Sequence, residues 1–310
     1  MRLREVYVEE IVEVITTTFY RRPTTFRVNT LKSTKTETES VLEAAGFMMD
    51  TVPWFFDAYI LRNRSKRELI DLPIYTEGKI YIQSLASMVP PLVLDPQPGE
   101  RVLDLTAAPG SKTGQIAAMM ERRGELVAND KSKIRFFKLK HNLEKLGVLG
   151  DTDAWKCVLR MEPGTGLVRE YPTYFDRILI DAPCSGEARF DHRNPKTFAY
   201  WSLRKVKEMI FTQRKLLFSA WQALRPGGVM VYSTCTISPE ENELQVATFL
   251  ERHDDAVLEP VDIEGIGRLP MIRAWQGREL SVDVTPCLRV VPTTDMESFF
   301  VAKIRKLGHT

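Results

Sequence analysis

Two of the four cysteines in this chain stand where a reactive sulfur could be used. Val229 to Ser233 reads as the last part of a buried strand, and Thr234-Cys235-Thr236 interrupts it before a new helix. Ile178 to Asp181 is a second apolar run, followed at once by Ala182-Pro183-Cys184. Thiolates are both nucleophiles and metal ligands. Cys157, Cys184, Cys235 and Cys287 show no CxxC or other metal spacing, so no metal site is expected. Free thiols in a reducing cytoplasm are the simplest reading, and two sulfurs placed alike on two strands ask for a joint chemical explanation.

The elements that must position these sulfurs begin near Glu100. RVLDL ends in Asp104, TAAPGSKTG is a turn of small residues, and QIAAMMERR continues as a helix. ELVAND ends in Asp130. KSKIRFFKLKHNLEKLG is helical, with Ile134, Phe137, Leu143 and Leu146 at core spacing. DAWKCV, FDRILID and GGVMVYS are further strands, and a helix from Leu203 to Leu224 is stopped by Pro226-Gly227-Gly228. A last helix, Pro239 to Arg252, opens with Ser238 and Glu241 spaced as a capping box. Strands alternating with helices predict an α/β fold with a parallel sheet covered on both faces. Ligands of such sheets sit at the carboxyl ends of the strands. Asp104, Asp130, Asp153, Asp181 and Cys235 all fall at or near strand boundaries.

The first hundred residues read as a small α+β unit. It has a helix near Val6 to Phe19, strands in FRVNTLK and WFFDAYILR, a helix from Thr38 to Ala45, and a helix from Gln83 to Leu92 leading onward. CLRVVP and SFFVAKIRK read as two strands closing a sheet edge. The division expected is residues 1–95 as the N-terminal module and 96–310 as the catalytic domain.

DLTAAPGSKT carries neither GxGxxG nor GxxxxGK. Its backbone amides and helix start favour a carboxylate or other anion, and one strand later Asp130 stands where a carboxylate takes two ribose hydroxyls. S-adenosylmethionine, with its carboxylate, ribose and adenine, fits. A tight strand-to-helix turn beside a solvated Asp130 explains the same residues, so the turn alone leaves both readings open.

Composition excludes little. The chain has 310 residues, 44% hydrophobic and 27% charged, with a net charge of +2. No window approaches the ~20 apolar residues of a membrane span, and MRLREVYVEE has acids where a signal peptide has its apolar core. The basic clusters Arg62 to Arg67 and Lys131 to Lys140 are compatible with nucleic acid and equally with solvated helix faces.

FRVNTLK, DLTAAPGSKT, ANDKSKIRF, DAPCSG, LRPGG, YSTCTISPEENE and FFVAKIRK occur in order from about Thr25 to Lys306. Together they resemble the RNA cytosine-5 methyltransferases of the Nop/Sun/Fmu group. The resemblance implies a Rossmann-like S-adenosylmethionine-dependent methyltransferase fold behind a small RNA-recognition domain. It implies Cys235 as the nucleophile and Cys184 as the thiol that helps free the product, an order that chemistry alone leaves undecided. It also implies Asp181 against the cytosine edge and Lys112 pointing into the site. The implied cofactor contacts are Ala107, Ala108, Pro109, Gly110, Ser111 and Lys112 of the turn, then Asp130, Arg135 and Asp181, with Asp153 or Asp151 on the adenine side. Cys157 and Cys287 match no motif position and read as buried structural residues.

An unstacked cytosine is the implied substrate, since carbon 6 is out of reach in a stacked helix. Arg27 and Asn29 belong to a segment like the family's RNA-facing module, and Trp54, Phe55 and Phe56 could stack bases or simply form core. No added helical RNA-binding module is expected before or after the two units, which favours tRNA over rRNA; a monomer is also expected. Ser111 stands where the family has a second glycine, Glu297-Ser298 stands where it has a glycine before the last strand, and the loop GEARFDHRNPKTFAYW differs in length and charge. These departures bear on the RNA target and not on the chemistry. The rivals are a methyltransferase acting on DNA or protein and a non-catalytic RNA-binding scaffold. The TC-type cysteine with its PEENE segment counts against the first, and the intact Cys184, Cys235 and Asp181 against the second.

Overall fold

Alternating apolar residues build the sheet that carries the site. The structure, a computed structural model, describes residues 3–20 and 22–308. In chain order the elements of the first part are α1 (Leu3–Val6), α2 (Glu9–Thr17), β1 (Thr25–Val28), α3 (Lys35–Ala44), β2 (Met49–Thr51) and β3 (Ala58–Leu61). They continue with α4 (Lys66–Ile70), α5 (Pro73–Thr76), β4 (Ile80–Ile82) and α6 (Leu85–Leu94). Strands β1 to β4 form an antiparallel sheet in the order β2-β3-β1-β4.

The second part runs β5 (Arg101–Asp104), α7 (Ser111–Met119), β6 (Gly124–Asn129), α8 (Lys133–Lys145), β7 (Trp155–Arg160), α9 (Gly164–Leu167) and β8 (Phe175–Asp181). Then come α10 (Leu203–Ala223), β9 (Leu224–Thr234), α11 (Glu243–Leu250), β10 (Ala256–Glu259), the small pair β11 (Ala274–Trp275) and β12 (Arg278–Glu279), β13 (Leu288–Arg289) and β14 (Phe300–Lys306). The large sheet has the order β10-β14-β9-β8-β5-β6-β7, with β13 paired to β14. Strands β7, β6, β5, β8 and β9 are parallel, and β14 is antiparallel between β9 and β10.

The period of two sorts side chains onto two faces. Leu126 and Ala128 of β6 pack into the core that also holds α6 and α7, while Val127 faces the core under α10. Leu179 and its neighbours Ile178 and Ile180 on β8 divide in the same way. Removing one such fully buried side chain, as in Ile180→Ala, would cost about 2–5 kcal/mol. The chain order reverses between β5 and β8, which opens a crevice beyond their carboxyl ends.

Several local expectations change. Ile134 and Phe137 are 74% and 54% exposed, because the buried face of α8 is set by Leu139, Leu143 and Leu146. No helix starts at Ser238: a single 3-10 turn, Pro239–Glu241, intervenes, and α11 begins after Asn242. Ser238 Oγ donates to Glu240 instead, and Glu241 is used elsewhere. Packing also runs across residue 95. Helix α6 lies on β8 and β9, and Ala58 and Ile60 of β3 join the core of the large sheet. Helices α1 and α2 pack through Tyr7, Ile15 and Phe19 against Ala188, Ile237 and Trp275.

Arg27 and Asn29 belong to that seam and do not face outward. Arg27 is buried, donating to Gln83 Oε1 at 3.0 Å and to the Ser111 carbonyl at 3.3 Å. Asn29 Nδ2 donates to the carbonyls of Gly78 and Leu146 at 2.8 and 2.9 Å. The close fit needs Gly114, where a Cβ would stand 2.5 Å from Leu146 Cδ1 and 3.0 Å from the Arg27 guanidinium. In the basic cluster, Arg62 is bound by Asp50 and Asp295, and Arg64 by Glu68. Trp54 and Phe55 stack on one another against the core, leaving Phe56 76% exposed.

Candidate active site

A cleft of about 1000 Å³ lies at the reversal point, and two groups of residues meet in it. One group follows β5 and β6. After Asp104 the chain turns through Ala107 to Gly110, with a cis bond between Ala108 and Pro109, and enters α7 at Ser111. Gly110 takes φ +102°, a region that favours glycine, and a Cβ there would press on Leu139 Cδ1 at 3.1 Å. Ala108, Pro109, Ser111 and Lys112 line the cleft, and Ala107 and Gly110 shape the turn behind them. Ala107 N–H donates to the Asn129 carbonyl at 2.8 Å, tying the turn to β6.

Asp130, directly after β6, is almost wholly buried and lines the cleft. One of its oxygens accepts from Ser132 N–H at 2.9 Å, and the other lies 3.4 Å from the Arg135 guanidinium. Arg135 also donates to the Ala108 carbonyl, so it joins the carboxylate to the turn. Asp104 sits beneath: Thr113 Oγ1 donates to its Oδ2 at 2.7 Å, and Oδ1 has no partner among the described residues. Burial pushes its carboxyl up to about 7.

The second group follows β8 and β9, which run side by side with Asp181 opposite Ser233. Asp181 lines the cleft; Lys112 Nζ donates to its Oδ2 at 2.7 Å and to Ser87 Oγ at 2.8 Å, and Ser233 Oγ donates to Oδ1 at 3.1 Å. Beyond the strand ends Cys184 and Cys235 approach to 3.3 Å between sulfurs. Both are partly accessible, whereas Cys287 is buried and Cys157 lies outside the cleft.

The two sulfurs have opposite electrostatics. Cys235 is held below the ordinary thiol range, first by the hydrogen bond from Cys184 and then by the positive Arg189 and Lys112, against burial and Asp181. Cys184 is pushed well above that range by the same hydrogen bond, by burial and by the negative charge of Cys235 and Glu241. Of the two sulfurs, Cys235 is thus the one favoured toward ionisation and Cys184 the one disfavoured.

The sulfur-bearing loops are fixed from behind. Glu241 accepts from Ser185 N–H at 3.0 Å, from Ser185 Oγ and from Gln213 Nε2 at 2.8 Å. Asn242 Oδ1 accepts from Thr234 Oγ1 at 2.5 Å, and its amide donates to the Thr236 carbonyl at 2.9 Å. PEEN thus works as a buried clamp, which its sequence disguises as a capping box.

Asp153 and Asp151 do not reach the cleft. They precede β7, at the amino end of the sheet, and Asp151 Oδ1 accepts from Cys157 N–H at 3.1 Å. The carboxyl end of β7 supplies Pro163, Gly164 and Thr165 to the lining instead. Arg189, Ser87 and a stripe on α10 formed by Lys205, Met209, Thr212 and Leu216 also border the cleft. Spacing of four, three and four residues puts that stripe on one helical face. The spacing was legible, but nothing in the sequence said that this face looks into a cleft.

Known proteins resemble this chain in sequence and in fold. The family model described as 16S rRNA methyltransferase RsmB/F matches residues 91–305. A tRNA (cytosine(49)-C(5))-methyltransferase of Pyrococcus abyssi is 39% identical over 90% of this chain and 87% of its own length. A ribosomal RNA small subunit methyltransferase F of Shewanella amazonensis is 37% identical over 90% of this chain, which spans only 57% of that protein. A methyltransferase homolog from Pyrococcus horikoshii, solved by crystallography, superposes with a TM-score of 0.82 at 32% identity, over 99% of this chain and 93% of its own.

Proposed function

The chain belongs to the 16S rRNA methyltransferase RsmB/F family, and from that premise we propose that it transfers a methyl group from S-adenosylmethionine to carbon 5 of a cytosine in RNA. The observation that carries the reading is the 3.3 Å approach of Cys184 and Cys235 in one cleft with Asp181 and the turn after β5. The donor set fits the cofactor. Asp130 would take the ribose hydroxyls, the amides of the turn 107–112 would face its carboxylate, and Pro163 to Thr165 would border the adenine. S-adenosylmethionine supplies an electrophilic methyl group when bound.

The protein's part is to make a poor carbon nucleophile into a good one. The Cys235 thiolate adds to carbon 6, and the ring's electron pair moves towards carbon 5 as a proton settles on nitrogen 3. Asp181, held between Lys112 and Ser233, is the group placed to hold that proton against the ring edge. Once Cys235 is bonded to carbon its negative charge is gone. The main influence keeping Cys184 protonated then disappears, so Cys184 can give its own proton to solvent and, as the thiolate, take the proton from carbon 5. Loss of that proton, with the nitrogen 3 proton returned to Asp181, restores the ring and expels the Cys235 thiolate.

The 87% coverage of the archaeal tRNA enzyme, against 57% of the ribosomal one, supports tRNA as the substrate. The test is incubation with labelled S-adenosylmethionine and either tRNA or small-subunit rRNA, followed by bisulfite sequencing. Protected cytosines in tRNA are expected; label that never reaches a cytosine carbon 5 would overturn the proposal.

A further inference from the structure

Arg189 is a cation of the cleft with no assigned work, and it stands on a segment tied to Cys235. The 3-10 turn Glu187–Arg189 hangs on the backbone of the sulfur-bearing segment: Ala188 N–H donates to the Cys235 carbonyl at 3.2 Å. Its Glu187 carboxylate accepts from Thr236 Oγ1 at 3.2 Å and from Trp201 Nε1 at 2.9 Å. Glu187 and Ala188 are buried by these contacts, so the turn cannot drift from Cys235. Arg189 comes next and lines the cleft with both sulfurs. Among the described residues its guanidinium makes no hydrogen bond or ion pair. Lys112, the other cation near the sulfur, is already committed to Asp181 at 2.7 Å.

We propose that Arg189 is the cation that keeps Cys235 in its thiolate form before a base arrives, making it a positioning residue for the nucleophile. A positive charge that is hydrogen-bonded to no carboxylate stabilises a neighbouring anion; a lysine paired with an aspartate does so less. The charges facing the Cys235 sulfur are Cys184 from the loop after β8, Asp181 from β8, Lys112 from α7 and Arg189 itself. Glu297, ahead of β14, acts on Arg189, and Glu241 acts on Cys184. Of the positive groups, Arg189 bears on Cys235 more strongly than Lys112. Its outer side is open to solvent, so RNA closing over the cleft strengthens the effect by excluding water. Arg189 belongs to the loop GEARFDHRNPKTFAYW, whose length and charge depart from the family pattern.

The proposal rests on Cys235 being the nucleophile, but its test needs neither RNA nor cofactor. The full chain is alkylated with iodoacetamide across pH 5 to 10, and the Cys235 peptide is followed by mass spectrometry. Arg189→Met is expected to move the midpoint upward by about one pH unit, with Arg189→Lys recovering part of the shift. Should Arg189→Met lose its thermal transition, Arg189→Gln gives the same reading. A Cys235 profile unchanged from wild type in a folded Arg189→Met or Arg189→Gln protein overturns the proposal. Methyl transfer lost in Cys235→Ala bears on the enzymatic function instead, so the two failures are distinguishable.

Discussion

The seam between the two sheets and the cleft beside it both bury polar groups, and they treat them oppositely. At the seam each group is answered. Arg27 meets Gln83 and the Ser111 carbonyl, Gln83 Nε2 meets the Ser87 carbonyl and Gln115, and Asn29 ties Gly78 to Leu146. Behind the sulfur loops Arg289 is likewise closed by Glu243, at 2.5 Å to each oxygen, and by the Ile237 carbonyl. In and beneath the cleft groups are left open: among the described residues Asp104 Oδ1 and the Arg189 guanidinium have no hydrogen-bond partner, and Cys235, its thiol held below the ordinary range, stays partly accessible. Satisfied polar groups specify architecture, while unsatisfied ones hold chemistry in reserve.

Mutations can break that contrast. Cys235→Ala is expected to abolish methyl transfer to RNA while leaving the unfolding transition in place; retained activity would move the nucleophile elsewhere. Glu243→Gln should do the reverse. It strands the buried Arg289 and should destabilise the fold by about 3–5 kcal/mol, read as a lower urea midpoint. Asn29→Ala leaves two buried carbonyls unanswered and should lower stability by about 2 kcal/mol, with the chemistry at the sulfurs unchanged once the protein is folded.

The effect expected at Asp104 appears in pH dependence. Its folded carboxyl titrates at about 7, against about 3.9 in an unfolded chain. The native state therefore binds the proton more tightly, and the stability this gives is full below about pH 4 and lost as pH rises to 7. Asp104→Asn keeps the acceptor for Thr113 and removes the titration, so its stability should vary less than wild type between pH 4 and 7. Parallel curves for the two proteins in that window would show that Asp104 is not held in this way.

Legibility in the sequence follows the same division. The parallel sheet was readable because strand and helix periods alternate from Glu100 onward, and the sulfurs were readable because each ends an apolar run. The family resemblance supplied roles that spacing could not. What stayed hidden depends on contacts between distant segments. Arg27 and Asn29 look like exposed recognition residues until β4, α7 and α8 close over them. Glu241 looks like a helix cap until the PCSG loop folds onto it. Asp153 failed for a simpler reason: the strand it was assigned to begins after it, so it lies at the wrong end of the sheet. Ile134 and Phe137 have helical core spacing but share their face with too many lysines to be buried.

The claim beneath all of this is that the sulfur at position 235 bonds to the pyrimidine and the one at 184 lets it go. The direct measurement is to incubate the Cys184→Ser protein with substrate RNA and S-adenosylmethionine, denature it, and map the cross-linked peptide by mass spectrometry. A denaturant-stable adduct on Cys235 carrying a methylated cytosine is predicted. Free turnover with no adduct, or an adduct on another residue, would contradict the assignment of the two sulfurs.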